Sequence, residues 1–189
     1  MTTEAKIRGI AKKARAASYE IAILPTAIKN TLLHKMADRL TQEKNKIQTE
    51  NNKDLKAAEK KRLSEASMDR LRLSDKVIQE MSQGLREVAE LPDPVGEVVK
   101  QWTRPNGLQV SRVRIPLGVI GMIYESRPNV TVDAAGLCLK SGNAIVLRGG
   151  SEAIHSNIFL GKLLRQVLEE EKLNPDMIQV IPTSDRESM

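Results

Sequence analysis

The residues best suited to chemistry lie in one short segment, Leu147-Arg148-Gly149-Gly150-Ser151-Glu152, where an apolar run ends in two glycines before a helical pattern begins. Glycine lets the backbone approach a ligand closely, and the N-terminus of a helix favours an anion. Arg148 adds a planar cation suited to phosphate. We call residues 148–152 the glycine turn. They predict a cofactor phosphate site, but a plain strand-to-helix turn capped by Ser151 explains them equally well, because no GxGxxG motif is present.

A second candidate, which we call the polar loop, is Tyr124-Glu125-Ser126-Arg127-Pro128-Asn129-Val130-Thr131. It follows another apolar run, and open parallel sheets bind ligands at the carboxyl ends of their strands. Arg127 could bind a substrate carboxylate or phosphate, and Asn129 could donate a hydrogen bond to a developing oxyanion. Asn129 or Thr131 could instead cap the following helix, which is the commoner role for either residue taken alone.

The remaining reactive side chains have ordinary surroundings. Cys138, the only cysteine, lies between Leu137 and Leu139, which predicts a buried and unreactive thiol rather than a nucleophile. His34 belongs to a charged helical segment, and His155 follows the glycine turn by one helical turn. No cluster of cysteine or histidine has metal-ligand spacing, so no metal is expected, and the lone cysteine is typical of a reducing cytoplasm.

The elements that position these residues fall into two predicted regions, which meet at Leu91-Pro92-Asp93-Pro94 because the prolines prevent a helix from continuing. Residues 1–91 are predicted to form amphipathic helices, since their apolar residues recur at helical spacing. Pro25 and the pair Asn51-Asn52 are expected to interrupt these helices, and Ser74 is expected to cap one of them. The apolar stripes are Ile7, Ile10, Ala14 and Ala17; Ile28, Leu32, Met36 and Leu40; and Val77, Ile78, Met81 and Leu85.

Residues 92–189 are predicted to form a β-hairpin followed by part of a doubly wound parallel sheet. Alternating residues from Val98 to Thr103 and from Leu108 to Arg114 flank Asn106-Gly107, which is a strong hairpin signal. The rest alternates strand with helix, as in nucleotide-binding α/β folds, and its first strand is expected to be buried on both faces. The predicted elements are a strand at 117–124, a helix at 130–139 ended by Ser141-Gly142-Asn143, a strand at 144–147, a helix at 151–172 and a strand at 177–181.

The composition limits the classes of function. A chain of 189 residues with 40% hydrophobic and 29% charged residues is typical of a soluble globular protein, and no apolar run is long enough to cross a membrane. The net charge of +6 arises from an excess of basic residues in residues 1–91. Binding of nucleic acid by these helices is an alternative, although interspersed acids and scarce aromatic residues favour a solvated surface. A non-catalytic nucleotide-binding or oligomerisation module is another.

Three stretches carry a resemblance to a known family: RIPLGVIGMIYESRPNVTVDAAGLCLKSGNA, IVLRGGSEAIHSN and IPTSDRE. They closely resemble the γ-glutamyl phosphate reductases, also called glutamate-5-semialdehyde dehydrogenases, of the aldehyde dehydrogenase superfamily. The resemblance is strong after residue 112 and weaker before it, and it covers essentially the whole chain. It implies an α/β protein with N-terminal helices, a β-hairpin and part of a Rossmann-like sheet of the aldehyde dehydrogenase type.

The resemblance also implies a function. Members of this family reduce L-glutamyl 5-phosphate to L-glutamate 5-semialdehyde with NADPH, a step of proline biosynthesis in the cytoplasm. The residues that it assigns to NADP(H) binding are Arg148, Gly149, Gly150, Ser151 and Glu152. Asn129 lies near the family's oxyanion donor, and Arg127 is the candidate substrate ligand. A homo-oligomer is expected, with the hairpin as a candidate contact, and glutamate kinase is a candidate partner.

The family's chemistry begins at a cysteine thiolate, which displaces phosphate to form a thioester that hydride transfer then reduces. Family members are much longer than 189 residues, and their nucleophilic cysteine would lie beyond Met189, in a catalytic domain that this sequence does not include. Cys138 matches that cysteine neither in position nor in context. The expectation is therefore a helical region, a hairpin and a partial NADP-binding domain, without reductase activity of their own.

Overall fold

The computed structural model describes residues 2–183. Its N-terminal half consists of five helices. Thr2, Ser64 and Ser74 each accept a hydrogen bond from a backbone N–H of the first turn that follows, which satisfies donors that a helix start leaves unpaired. The predicted cap at Ser74 is confirmed, and Pro25 lies in the predicted interruption between two helices. The helices are α1 (Thr3–Ile21), α2 (Thr26–Gln42), α3 (Lys44–Lys60), α4 (Glu65–Leu71) and α5 (Asp75–Glu90).

The predicted interruption at Asn51-Asn52 is wrong, because α3 continues through both residues. Asn51 is 2% exposed, and its side chain spans two elements: the amide nitrogen donates to Leu71 O at 2.8 Å, and the amide oxygen accepts from Leu73 N at 2.9 Å. Asparagine usually weakens a helix by bonding to nearby backbone. Here its polar atoms bond to the last residue of α4 and to the chain just after it, so the helix keeps its own hydrogen bonds.

Two antiparallel strands, β1 (Val98–Thr103) and β2 (Gln109–Val113), form the predicted hairpin. Gly107 has a φ of +85° in the connecting turn, a conformation that glycine adopts without steric cost. Trp102 faces Val110 across the ladder, and these are the two residues of the strands that are not fully exposed. The ammonium of Lys100 lies 5.7 Å from the Trp102 ring centroid. The hairpin therefore projects from the body of the molecule.

A three-stranded parallel sheet follows, with crossover helices between successive strands. Its elements are β3 (Val119–Ile123), α6 (Asn129–Lys140), β4 (Ala144–Arg148), α7 (Ile154–Glu170) and β5 (Ile178–Val180), and the strand order is β3-β4-β5. The fold class predicted from the sequence, helices plus a hairpin and part of a doubly wound sheet, is confirmed. Gly142 ends α6 as predicted, since Asn143 N donates back to Cys138 O at 2.8 Å.

Three details of this region differ from the prediction. The strand expected to be buried on both faces, β3, is an edge strand, and Ile123 is 61% exposed, whereas the central strand β4 is largely buried. The long helix begins at Ile154, after a separate 3-10 turn at Ser151–Ala153. The last strand is three residues long, because Met177 belongs to another 3-10 turn. Ser184 to Glu187 of the third family-like stretch lie outside the described residues.

Both halves of the chain contribute to one hydrophobic core. Leucine, isoleucine, methionine and alanine side chains of α1, α2 and α5 pack against those of α6, α7 and the sheet. Cys138 belongs to this core as predicted, and burial raises the pKa of its thiol to about 11. Within residues 2–183, no helix has the length and apolar character needed to span a membrane.

A buried ion pair fixes the segment that joins the helices to the hairpin. The Lys29 ammonium, on a residue 1% exposed, lies 2.6 Å from the Asp93 carboxylate and donates to Lys140 O at 3.3 Å. Thr26 Oγ1 and Val95 N also donate to Asp93. Burial alone would raise the pKa of Asp93, but hydrogen bonds from these groups outweigh it and lower the pKa. The linker is therefore held against α2 and the end of α6.

Replacing Asp93 by asparagine is expected to destabilise the protein by about 3 kcal/mol at pH 7, because it leaves Lys29 buried without a counter-ion. The folded pKa of Asp93 lies below its ordinary value of 3.8, so its contribution is complete above that pH and is lost as the pH falls through the folded pKa. The difference between wild type and variant should thus shrink in strong acid. Urea unfolding followed by far-UV circular dichroism at pH 7 and pH 3 measures it.

The matched control is Asp75→Asn, which removes the exposed ion pair with Lys44. Exposed pairs contribute little, so this change should hardly alter the urea midpoint. If the two substitutions lowered the urea midpoint equally, burial would not be the reason that the Asp93–Lys29 ion pair stabilises the protein.

Candidate functional site

The carboxyl ends of β3 and β4 open into a cavity of about 410 Å³, which we call the site cavity. Four residues predicted from the sequence line it: Arg127 from the polar loop, and Arg148, Gly150 and Glu152 from the glycine turn. The structure thus brings the two candidate segments, some twenty residues apart in sequence, to one place. Asn129, Gly149 and Ser151 are not among the residues that line it.

The two glycines allow close packing of the turn against its neighbours. A Cβ atom on Gly149 would overlap the side-chain amide of Asn157 in α7. A Cβ atom on Gly150 would lie 2.6 Å from Ser126 Oγ and 2.9 Å from the Glu152 carboxylate. Any larger residue at either position would displace these side chains, so the glycines are needed by the protein itself and not only by a ligand.

Glu152 is held in one orientation by two serines. Ser126 Oγ donates to one carboxylate oxygen at 2.7 Å, and Ser151 Oγ donates to the other at 3.0 Å. The hydrogen bond from Ser126 is the main cause of a lowered Glu152 pKa, which burial partly opposes. The prediction that Ser151 caps the long helix is wrong. Ser151 lies in the 3-10 turn, and its hydroxyl donates a hydrogen bond to Glu152.

The N-terminus of α7 is capped by a carboxylate from a distant helix. Asp54 of α3, 1% exposed, accepts from His155 N at 3.1 Å, from Ser156 N at 2.8 Å and from Ser156 Oγ at 2.6 Å. The sequence predicts that free N–H groups at the start of this helix attract a ligand anion. The N–H groups of His155 and Ser156 are not free, because an internal carboxylate already accepts from them at the positive end of the helix dipole.

A buried hydrogen-bond chain connects the polar loop with α6 and α7. Thr131 Oγ1 donates to Asn157 Oδ1 at 3.1 Å and lies 2.6 Å from the Tyr124 hydroxyl. Since Thr131 has a single hydroxyl proton, Tyr124 is the donor in the second contact. Burial raises the pKa of Tyr124, so the phenol remains protonated at neutral pH. Thr131 is fully buried in this chain and does not cap α6.

Asn129 begins α6 but caps it with no side-chain hydrogen bond. Its amide nitrogen donates instead to Asp133 Oδ2 at 3.1 Å. Burial raises the pKa of Asp133, and this hydrogen bond partly opposes the shift. Both capping alternatives considered for the polar loop are therefore excluded, and the oxyanion role of Asn129 stays a prediction.

Sequence reasoning missed three groups that shape this site. Arg70 and Ser67, from the short helix α4, line the site cavity, and Asp54 determines how α7 begins. No sequence signal connects these residues with the glycine turn, which lies at least 78 positions further along. Within residues 2–183, no group of three or more histidine, cysteine, aspartate or glutamate side chains could hold a metal ion.

Comparison with known proteins agrees with this architecture. The aldehyde dehydrogenase family matches the chain over residues 1–189, so the chain belongs to the aldehyde dehydrogenase family. Over its full length the chain is 54% identical to a γ-glutamyl phosphate reductase of Desulfotalea psychrophila. It spans 45% of that relative, and so less than half of the length of the curated proteins it resembles.

Two solved structures support the more specific likeness. The γ-glutamyl phosphate reductase of Thermotoga maritima superposes with a TM-score of 0.93 at 41% identity, covering 96% of this chain and 44% of that one. The γ-glutamyl phosphate reductase of Saccharomyces cerevisiae gives a TM-score of 0.89 at 31% identity, covering 96% and 47%. The resemblance noted from the three sequence stretches is confirmed.

Replacing Asp54 by alanine should destabilise the protein by about 3 kcal/mol, because it leaves two backbone N–H groups and a buried hydroxyl without their acceptor. Urea unfolding monitored by far-UV circular dichroism measures the loss. Glu59→Ala, an exposed carboxylate on the same helix, is the control and should change the midpoint little. A loss for Asp54→Ala no larger than for Glu59→Ala would show that the cap contributes little.

Proposed function

We propose that this chain contributes the NADP(H)-binding part of an enzyme that reduces L-glutamyl 5-phosphate to L-glutamate 5-semialdehyde, releasing phosphate, in proline biosynthesis. Membership of the aldehyde dehydrogenase family supports a nicotinamide cofactor and oxidoreductase chemistry. Relatives and solved structures named γ-glutamyl phosphate reductase support the substrate. The chain spans under half of the length of these relatives, so the activity is proposed for an enzyme of their length.

The observation that carries this proposal is the meeting of Arg148, Glu152 and Ser126 at one cavity beyond the ends of two parallel strands. A fixed, ionised carboxylate accepts hydrogen bonds from sugar hydroxyls, and a guanidinium binds phosphate through paired donors. This combination of an accepting carboxylate and a donating guanidinium fits the adenosine ribose and phosphate of NADPH. The cofactor, when bound, supplies hydride, and these residues bind and orient its adenosine end.

Arg127 lines the same cavity as Glu152. That position suits a cofactor phosphate as well as the substrate contact expected from the sequence. The proposed role of Arg127 is substrate binding. The proposed role of Asn129 is oxyanion stabilisation, although its amide nitrogen already donates to Asp133. Transfer of that hydrogen bond to a substrate oxygen would require the Asn129 side chain to turn away from α6.

The reaction requires a cysteine thiolate, and Cys138 is unsuited to that role. It is buried in α6, with a pKa of about 11, so the thiolate is scarce at neutral pH. The nucleophile of the proposed reaction is therefore expected from residues outside this sequence.

The proposal extends to the setting of the enzyme. The projecting hairpin exposes Val98, Val99 and Val113, which makes it a candidate contact in a homo-oligomer. Glutamate kinase, which forms the acyl phosphate, is the proposed upstream partner. The proposed compartment is the cytoplasm, where a free cysteine stays reduced.

Arg148→Ala should weaken binding of NADPH about 10- to 100-fold, because a charge-assisted contact to phosphate is lost. Isothermal titration of NADPH into the purified chain measures the change. Arg104→Ala, on the exposed tip of the hairpin, is the matched control and should bind like wild type. Salt-sensitive retention on heparin that survives Arg148→Ala, with no binding of NADPH, would favour the nucleic-acid alternative instead.

The purified 189-residue chain should show no oxidation of NADPH in the presence of L-glutamyl 5-phosphate, since its only thiol is buried and protonated. Absorbance of NADPH at neutral pH follows the reaction, and a reductase of the relatives' length serves as the positive control. Turnover by the chain alone, abolished by Cys138→Ala, would overturn the assignment of the nucleophile to residues beyond it.

A further inference from the structure

The site cavity has a wall that the glycine turn does not provide. Helix α4 contributes Arg70 and Ser67 to the lining that Arg148 and Glu152 share. Within residues 2–183, neither Arg70 nor Arg127 forms an ion pair with a carboxylate. Three arginines, Arg70, Arg127 and Arg148, therefore line the cavity with two carboxylates, Glu125 and Glu152, so the lining has an excess of positive charge that favours a bound anion.

Helix α4 is fixed at the end that carries Arg70. The next residue, Leu71, is fully buried and packs in a small apolar cluster with Ala153, which directly follows Glu152. Leu71 O also accepts a hydrogen bond from Asn51, whose amide donates to Ser156 Oγ of α7 as well. The same contacts therefore set the positions of Arg70 and of the glycine turn relative to each other.

The charges around the cavity match a particular ligand chemistry. Glu152 accepts from hydroxyl groups but repels phosphate, so a sugar that carries both needs cations to offset the carboxylate. Arg148 supplies one cation, and Lys61, at the end of α3, is near enough to make a small contribution to lowering the Glu152 pKa, after the larger effect of Ser126. Arg70, from α4, adds a guanidinium to the same lining.

We propose that Arg70 binds the phosphate monoester on the adenosine ribose of NADPH and so makes the site prefer the phosphorylated cofactor over NADH. This inference rests on the proposed cofactor site at the glycine turn. Arg148 and Arg70 together bind the monoester, and Glu152 binds a neighbouring ribose hydroxyl. Discrimination depends on a residue of the N-terminal helices rather than on the turn alone.

Calorimetric binding of three nucleotides to the purified chain tests the proposal: 2′,5′-ADP, which carries the additional 2′-phosphate; ADP, which carries a 5′-diphosphate; and 5′-AMP, which carries a 5′-phosphate alone. Wild type should bind 2′,5′-ADP more tightly than 5′-AMP. Arg70→Ala should lose about 10- to 100-fold in affinity for 2′,5′-ADP and less than about 2-fold for the other two, because one charge-assisted contact is removed. Arg70→Lys should fall between wild type and Arg70→Ala.

The matched control is Arg72→Ala, which removes an exposed arginine two residues away that does not line the cavity. It should leave all three affinities unchanged. An equal loss of 2′,5′-ADP and ADP binding in Arg70→Ala would place Arg70 at the diphosphate and overturn the proposal. Unchanged discrimination would also overturn it while leaving the cofactor site intact. Failure of wild type to bind any of the three, with normal circular dichroism, would refute the cofactor site itself.

Discussion

The site depends on one buried carboxylate. Asp54 lies in a helix more than ninety residues before the glycine turn, yet it pairs with the first free N–H groups of α7. A carboxylate buried this deeply is stable only when it is hydrogen-bonded, so these contacts hold α3 against the start of α7. Because the turn must join β4 to a helix fixed in this way, the backbone of residues 149–153 has little freedom.

This arrangement favours anion binding by side chains over anion binding by the backbone. Helix termini bind phosphate with N–H groups that are otherwise unpaired, and the N–H groups of His155 and Ser156 in α7 are already bonded to Asp54. The cations that line the cavity are arginines, while the serines that orient Glu152 keep its carboxylate directed and ionised. Side-chain recognition of this kind is easier to tune than a helix dipole, because a single substitution changes the charge.

The sequence predicted much of this structure because its strongest signals are local. Asn106-Gly107, Ser74 and the glycines of residues 149–150 act within a few residues, and each lies where its pattern indicated. The errors have another origin. Asn51 appeared to break a helix because its partners, Leu71 and Leu73, lie twenty residues away, and β3 appeared doubly buried because apolar content does not reveal which strand lies at an edge. Long-range contacts determine both the continuity of α3 at Asn51 and the position of β3 at the edge of the sheet.

The hairpin has a spectroscopic consequence. Trp102 is the only tryptophan in the sequence, and it lies half-exposed on β1, facing Val110 and outside the hydrophobic core. Intrinsic tryptophan fluorescence of this chain therefore reports on the pairing of the two hairpin strands and on any surface that covers them. The helical ellipticity reports separately on the core. Tryptophan fluorescence and helical ellipticity therefore follow the hairpin and the hydrophobic core separately, without any labelling.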